Sequence, residues 1–263
     1  MISPSSLTKA WGISLVKTQD ITHQIIEDQL SQVPVNMSAA PRSRVPEPSS
    51  FLLFGGGLLT MVITILRRTY NIAKRGMDIM IASFALIILS PLCIMVATLV
   101  KLTSQGPVFY TQIRSGKDGQ AFEIYKFRTM KIDAEKDSGP VWAKLKDNRI
   151  TLIGKFLRKS RIDEIPQFIN VLQGDMSVIG PRPERPVFIE KLKSQISDYP
   201  KRLSVKPGIT GLAQVYHRYD ESIADVRKKV KYDILYIKKM CFWTDLRIIG
   251  RTFGVILTGF GAH

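Results

Sequence analysis

The run Ile79-Met80-Ile81-Ala82-Ser83-Phe84-Ala85-Leu86-Ile87-Ile88-Leu89-Ser90-Pro91-Leu92-Cys93-Ile94-Met95-Val96-Ala97-Thr98-Leu99-Val100 lies between Lys74-Arg75 and Lys101, and its reading decides the fold. It is long enough for one pass through a bilayer, since crossing the hydrocarbon takes roughly 20 apolar residues of helix. Pro91, near its middle, argues against a straight span: a mid-helix proline removes one hydrogen bond and clashes with the preceding turn. Ser90 can satisfy the carbonyl that such a break frees, and breaks persist in membranes only where the backbone is re-satisfied. Basic residues flank both ends, which by the positive-inside rule puts both ends on the cytoplasmic face. A helix that enters, bends at Ser90-Pro91 and returns meets both observations. On these residues alone a kinked spanning helix is slightly simpler; the catalytic motifs downstream reverse that preference.

Upstream, a second apolar run, Phe51 to Leu66, closes on Arg67-Arg68. It is short for a full span, and Gly55-Gly56-Gly57 weakens it as a helix. Val45-Pro46-Glu47-Pro48, this run and the two arginines together resemble a PEP-CTERM protein-sorting signal. Such signals normally close a chain, whereas this one is internal, so a first membrane helix is the plainer reading. Residues 1–50 are polar and rich in Ser, Thr, Gln and Pro, without the charged start and apolar stretch of a standard secretory signal peptide. They are expected to be disordered, with at most a loosely held helix over 21–30.

The chain has 263 residues, 45% hydrophobic and 23% charged, enough for a buried core. Its net charge is +16. The first 50 residues sum to zero (Lys9, Lys17, Arg42 and Arg44 against Asp20, Glu27, Asp28 and Glu47), so the excess lies in 51–263. A basic body implies an anionic partner: nucleic acid, anionic lipid head groups or phosphorylated substrates. The two cysteines, Cys93 and Cys241, carry no CxxC or Cys/His spacing, which argues against a zinc site and a disulfide framework. His23, His217 and His263 form no local cluster.

After Lys101 the pattern becomes globular. A turn at Gly106-Pro107 leads into a strand, Ser115 to Gly119 is a tight loop, and 122–127 alternates as a second strand. Helices are expected over 152–160, over 165–172 with Pro166 in the first turn and Gly174 at the end, over 224–239, and over 246–257. Phe242-Trp243 suits an interfacial position or a homodimer contact.

Ser160-Arg161-Ile162-Asp163-Glu164-Ile165-Pro166-Gln167 sets two carboxylates among basic residues. Neighbouring side chains on a helix diverge by about 100 degrees, so one can face substrate or metal while the other positions it. A carboxylate can attack phosphorus covalently if nearby cations neutralise the phosphates, and Arg158, Lys159 and Arg161 are close by. The bland alternative is two acids at a helix N-terminus, favoured there by the helix dipole. Further cations stand at Lys126 and Arg128 beside aromatics, and at Arg182 and Arg185 in the proline-locked Gly180-Pro181-Arg182-Pro183-Glu184-Arg185-Pro186. Lys206 opens Lys206-Pro207-Gly208-Ile209-Thr210-Gly211, where backbone amides can approach phosphate. The chain has no Walker A or GxGxxG sequence, which counts against an ordinary nucleotide fold.

In this order, Lys74-Arg75-Gly76-Met77-Asp78, Ser90-Pro91, Gly106-Pro107-Val108-Phe109, Tyr125-Lys126-Phe127-Arg128-Thr129-Met130, Arg161 to Gln167, Asn170 to Ser177, Gly180 to Glu184 and Lys206 to Gly211 form a set that resembles the bacterial sugar transferases, the monotopic polyprenyl-phosphate phosphoglycosyl transferases. The resemblance covers about residues 70–258. It implies a reaction in which a UDP-sugar gives its sugar-1-phosphate to polyprenyl (undecaprenyl) phosphate, releasing UMP, as the initiating step of exopolysaccharide or surface-glycan synthesis. It implies Asp163 as nucleophile, Glu164 as its partner, and magnesium (Mg2+) at the dyad with Asp163 as ligand. Lys126, Arg128, Arg158, Arg182, Glu184, Lys206 and Asp233 become candidate substrate-binding residues. The family often has Arg where Lys206 stands; lysine keeps the charge and loses the planar fork.

The expected fold is α+β: a re-entrant helix-break-helix over 72–103, then a mainly helical catalytic domain with a small strand element and amphipathic interfacial helices. The organisation follows as a polar region 1–50, an apolar membrane segment 51–70, a transferase domain 71–258 and a tail 259–263. The expected setting is the bacterial inner membrane with the catalytic domain on the cytoplasmic side. Expected partners are a UDP-sugar, polyprenyl phosphate and membrane lipids, with a homodimer possible and no nucleic acid. The competing class is a non-catalytic basic membrane adaptor that binds anionic lipids or nucleic acid. A carboxylate pair would repel those same phosphates, which favours the enzyme.

Overall fold

The computed structural model describes residues 50–132, 134, 147–217 and 222–258, with side chains described from 60 to 255. The chain divides into two units, residues 1–61 and 62–263. The expected N-terminal disorder and the 259–263 tail fall outside the described residues. The fold is mixed helix and strand and mainly helical.

Helix α1 runs without interruption from Ser50–Thr103. One expectation is corrected here. The apolar runs are not separate segments, because the helix continues through Arg67-Arg68 and Lys74-Arg75. The helix also continues through Ser90-Pro91. Pro91 cannot donate to the carbonyl of Ile87 four residues earlier. Ser90 Oγ donates to that carbonyl instead, at 2.7 Å, and the helix carries on. Thr60–Thr103 is apolar and long enough to cross a membrane, and only 11% of its most apolar window is buried. Phe84, Ile87 and Ile94 are each about two-thirds exposed or more, an arrangement that water penalises and lipid does not.

Strands β1 (Phe109–Ser115) and β2 (Ala121–Phe127) form an antiparallel hairpin with Phe109 opposite Phe127 and Ser115 opposite Ala121. Its loop uses Asp118 and Gly119 at positive φ. Helices α2 (Leu152–Lys159) and α3 (Gln167–Gln173) follow, then β3 (Ser177–Ile179) and α4 (Pro186–Gln195). Strand β4 (Gly208–Thr210), α5 (Leu212–Tyr216), α6 (Ile223–Lys238) and α7 (Phe242–Thr258) complete the fold.

The parallel pairing of β4 with β3 corrects the reading of the Lys206-Pro207-Gly208 loop as a phosphate cradle. Gly208 N–H donates to Pro181 O and Gly180 N–H to Thr210 O, both at 2.9 Å. A Cβ on either glycine would strike the opposite backbone, so glycine here serves strand packing.

One buried cluster joins Ile124, Val171, Met176, Ile179, Tyr236 and Ile248 to Ala82 of α1. Another joins Val96 and Val100 of α1 to Phe127 and Leu157. Three polar anchors reinforce the start of the apolar stretch. Lys74 donates to the fully buried Asp245 at 2.8 Å. Arg75 caps the C-terminal carbonyls of α3 at Val171 and Leu172. Asp78 accepts from Ser177 Oγ and Val178 N, each at 3.0 Å. At the far end, Arg128 Nη2 donates to Ser104 O at 2.8 Å.

Candidate active site

Asp163 and Glu164 owe their position to the way α2 begins and ends. Thr151 caps its N-terminus, accepting from Gly154 N at 2.9 Å, and its own amide donates to Thr129 O. At the other end Arg161 adopts the left-handed conformation (φ 55, ψ 17), uncommon for a side-chain-bearing residue. That residue turns the chain into a single 3-10 turn, Ile162–Glu164, in which both acids are buried.

The two carboxylates have opposite surroundings. Glu164 accepts from Lys126 Nζ at 2.8 Å and from both Nη groups of Arg182, and Arg161 lies 3.9 Å away. Burial opposes its ionisation, but Arg182 and Lys126 outweigh burial and hold its pKa well below the usual carboxylate range. Asp163 accepts no hydrogen bond and forms no ion pair among the described residues. Burial, then the Glu164 charge, push its pKa up to about 6, against the pull of Lys126, Arg158 and Arg182.

Arg158 completes the site. Its Nε donates to Thr129 Oγ1 at 2.9 Å, which aims the guanidinium and leaves both Nη groups without a hydrogen bond among the described residues. Burial lowers its pKa and the nearby Asp163 raises it. A buried unpaired carboxylate facing a free planar fork can present a nucleophile to a phosphorus whose oxygens that fork holds.

Thus Asp163, Glu164, Lys126, Arg158 and Arg182 converge. The other candidates stand elsewhere. Arg128 holds Ser104 at the end of α1. Glu184 pairs with Arg114 at 3.4 Å and Lys229 at 3.9 Å, tying the proline loop to β1 and α6. Asp233 pairs with Arg202, both almost fully buried. Lys206 lies beside Arg75 and Asp78 at the foot of α1; burial and Arg75 lower its pKa.

Sequence reasoning missed Arg202, which links three of these parts. It donates to Asp233, to Tyr199 Oη and to the carbonyl of Arg182. No local pattern marks it, because its partners lie up to 31 residues away.

Among the described residues no group of three or more His, Cys, Asp or Glu could enclose a metal ion. Magnesium, however, commonly takes one or two carboxylates and fills its shell with water and substrate phosphates. Asp163, with both oxygens free, fits that role; Glu164, saturated by cations, does not.

A buried carboxylate without a partner thus stands beside a cation-clamped one, on a domain attached to an apolar helix. Residues 69–259 match the bacterial sugar transferase family, and the chain belongs to it. Residues 44–68 also match the PEP-CTERM protein-sorting motif. The chain is 48% identical over 194 residues to a UDP-N-acetylgalactosamine-undecaprenyl-phosphate N-acetylgalactosaminephosphotransferase of Aeromonas hydrophila, covering 74% of this chain and 46% of that protein. It is 45% identical over 178 residues to a UDP-glucose:undecaprenyl-phosphate glucose-1-phosphate transferase of Klebsiella pneumoniae, covering 67% and 38%. A Caulobacter vibrioides protein with the same description is 35% identical over 242 residues, covering 90% and 87%. The chain thus spans less than half the length of the Aeromonas and Klebsiella relatives.

Proposed function

We propose that this protein transfers sugar-1-phosphate from a UDP-sugar to polyprenyl phosphate, releasing UMP and leaving a polyprenyl-diphosphate sugar, as the first step of an exopolysaccharide or other surface glycan. The observation that carries the reading is the division of labour in the dyad: Glu164 is neutralised by Lys126 and Arg182, and Asp163 is buried and unpaired. The relatives named for such transfers support it, and they differ in their sugar.

An oxygen of Asp163 attacks the sugar-bearing phosphorus, forming an aspartyl phosphosugar while the bond from that phosphorus to the bridging oxygen breaks and UMP departs with the electron pair. Arg158 binds phosphoryl oxygens, and Arg182, held by Glu164, limits the negative charge the attack must face. A phosphate oxygen of the polyprenyl phosphate then attacks the same phosphorus, and Asp163 leaves as the carboxylate. Magnesium held by Asp163 and the donor diphosphate would supply charge neutralisation.

The same proposal sets α1 in one leaflet, entering and leaving on the cytoplasmic side of the inner membrane. Residues 74–78 and 96–104 both attach to the one catalytic domain, which cannot lie on both faces. A proline kink bends a helix without ending it, which suits a turn at Pro91.

The test incubates purified protein with a panel of UDP-sugars and magnesium, and follows UMP and intact protein mass. One donor should release UMP and add the mass of its sugar phosphate to wild type, and neither should occur in Asp163→Asn. UMP release without any adduct in wild type, or an adduct that survives in Asp163→Asn, overturns the assignment.

A further inference from the structure

One cavity adjoins the dyad and takes no part in the chemistry above. A groove of about 280 Å³ lies between the second half of α1 and helix α2. Leu92, Met95 and Leu99 of α1 line it together with Leu152 and Phe156 of α2 and Ile162 of the turn that carries the dyad. No polar side chain lines it. Its size is near the lower end of small-molecule sites, which run from about 300 Å³ upward.

Three features identify the occupant. The lining includes Ile162, the residue before Asp163 in the same 3-10 turn, so the groove borders the segment that carries the reacting carboxylate. Arg158, on the same short helix, has both Nη groups without a hydrogen bond among the described residues and senses the Asp163 charge. The walls are exposed at the surface of the protein: Met95 is 52% exposed, Phe156 64% and Leu152 85%. An apolar groove whose wall helix also carries a cation with free donors complements a long hydrocarbon that bears a terminal phosphate.

We infer that this groove seats the isoprene units nearest the phosphate of the polyprenyl acceptor, with α2 reading both parts: tail through Leu152 and Phe156, phosphate through Arg158. The inference rests on the transferase reading for the identity of the acceptor. It makes Phe156 and Leu152 specificity-determining residues for chain length. An acyl chain of an ordinary phospholipid is the rival occupant.

The test uses the full chain in phosphatidylglycerol-containing nanodiscs and a prenyl phosphate with a diazirine in its first three isoprene units. Photolysis should label peptides covering 92–99 and 152–162. Undecaprenyl phosphate should suppress the labelling, and added phosphatidylglycerol should not. Separately, Phe156→Trp and Leu152→Trp, both at exposed positions and checked for an unaltered unfolding midpoint, should raise KM for long prenyl phosphates about tenfold, the discrimination worth one or two displaced methylenes. KM for a single-isoprene phosphate, which buries far less chain in the groove, should rise much less. Labelling elsewhere, equal suppression by phosphatidylglycerol, or equal KM changes for long and short acceptors would overturn the groove assignment. Groove labelling with the expected competition, in a protein that releases no UMP from any donor, would retain the groove and remove the transferase reading.

Discussion

Asp163 and Glu164 are adjacent, alike in charge and alike in burial, yet the fold assigns them opposite states. Glu164 is ionised and immobilised by three cations from three segments, while Asp163 carries a desolvation cost with no partner to offset it. Because its folded pKa, about 6, lies above the ordinary carboxylate value, the folded protein holds this proton more tightly than the unfolded chain does. Its cost to stability therefore grows as pH rises from about 4 to 6 and is fully present above that. Asp163→Asn should abolish the protein adduct and leave stability at pH 7 equal or higher by about 1–3 kcal/mol, read from denaturant midpoints. The proposed attack requires an ionised carboxylate, so the pre-steady-state rate of UMP release should fall below about pH 6. In Glu164→Gln, with the neighbouring negative charge gone, that limb should move to lower pH; a limb that stays put would mean another group controls it. None of this difference could be read from the sequence. The partners of Glu164 come from β2, from the proline loop and from Arg161, and only folding brings the first two within reach.

At the scale of elements, Arg202 is a buried strut between Asp233 on α6 and the carbonyl of Arg182, so the guanidinium that clamps Glu164 depends on a pair outside the site. Removing one partner of a buried ion pair leaves an uncompensated charge, at a cost of about 3–5 kcal/mol. Arg202→Leu should lose that much in urea unfolding, and the double change with Asp233→Leu should lose less. A double variant as unstable as the sum of the singles would show that the two do not act together. The elements that were predictable follow local rules. β1, β2, α2 and α6 have periodic patterns, and Gly174 stops α3 through a left-handed C-cap. The parallel β3–β4 pairing was not predictable, because two three-residue strands about 30 residues apart carry no period long enough to detect. Helix α5, five residues long, was missed for the same reason. The continuity of α1 was missed because Gly55-Gly56-Gly57 and Arg67-Arg68 look like interruptions, although charged and glycine residues cost a long helix only fractions of its stability.

For the whole molecule, topology is the property most open to test. Single cysteines at Asn71 and Gln105, in a protein with Cys93 and Cys241 replaced by serine, should both react with a membrane-impermeant maleimide from the cytoplasmic side alone. Reaction of the two from opposite sides would establish a spanning helix. The anchors at Lys74, Arg75 and Asp78 have one more consequence. They bolt one short stretch of α1 to α7, α3 and β3, and α3 follows the dyad directly in the chain. The position of Asp163 along α1 is therefore a ruler marked in residues, at about 1.5 Å per step of helix. In the one-leaflet arrangement proposed above, a thicker or thinner leaflet tilts α1 but cannot raise or lower Asp163 independently of it. In that arrangement the depth of the site is written into the spacing between Asp78 and Pro91 along the helix.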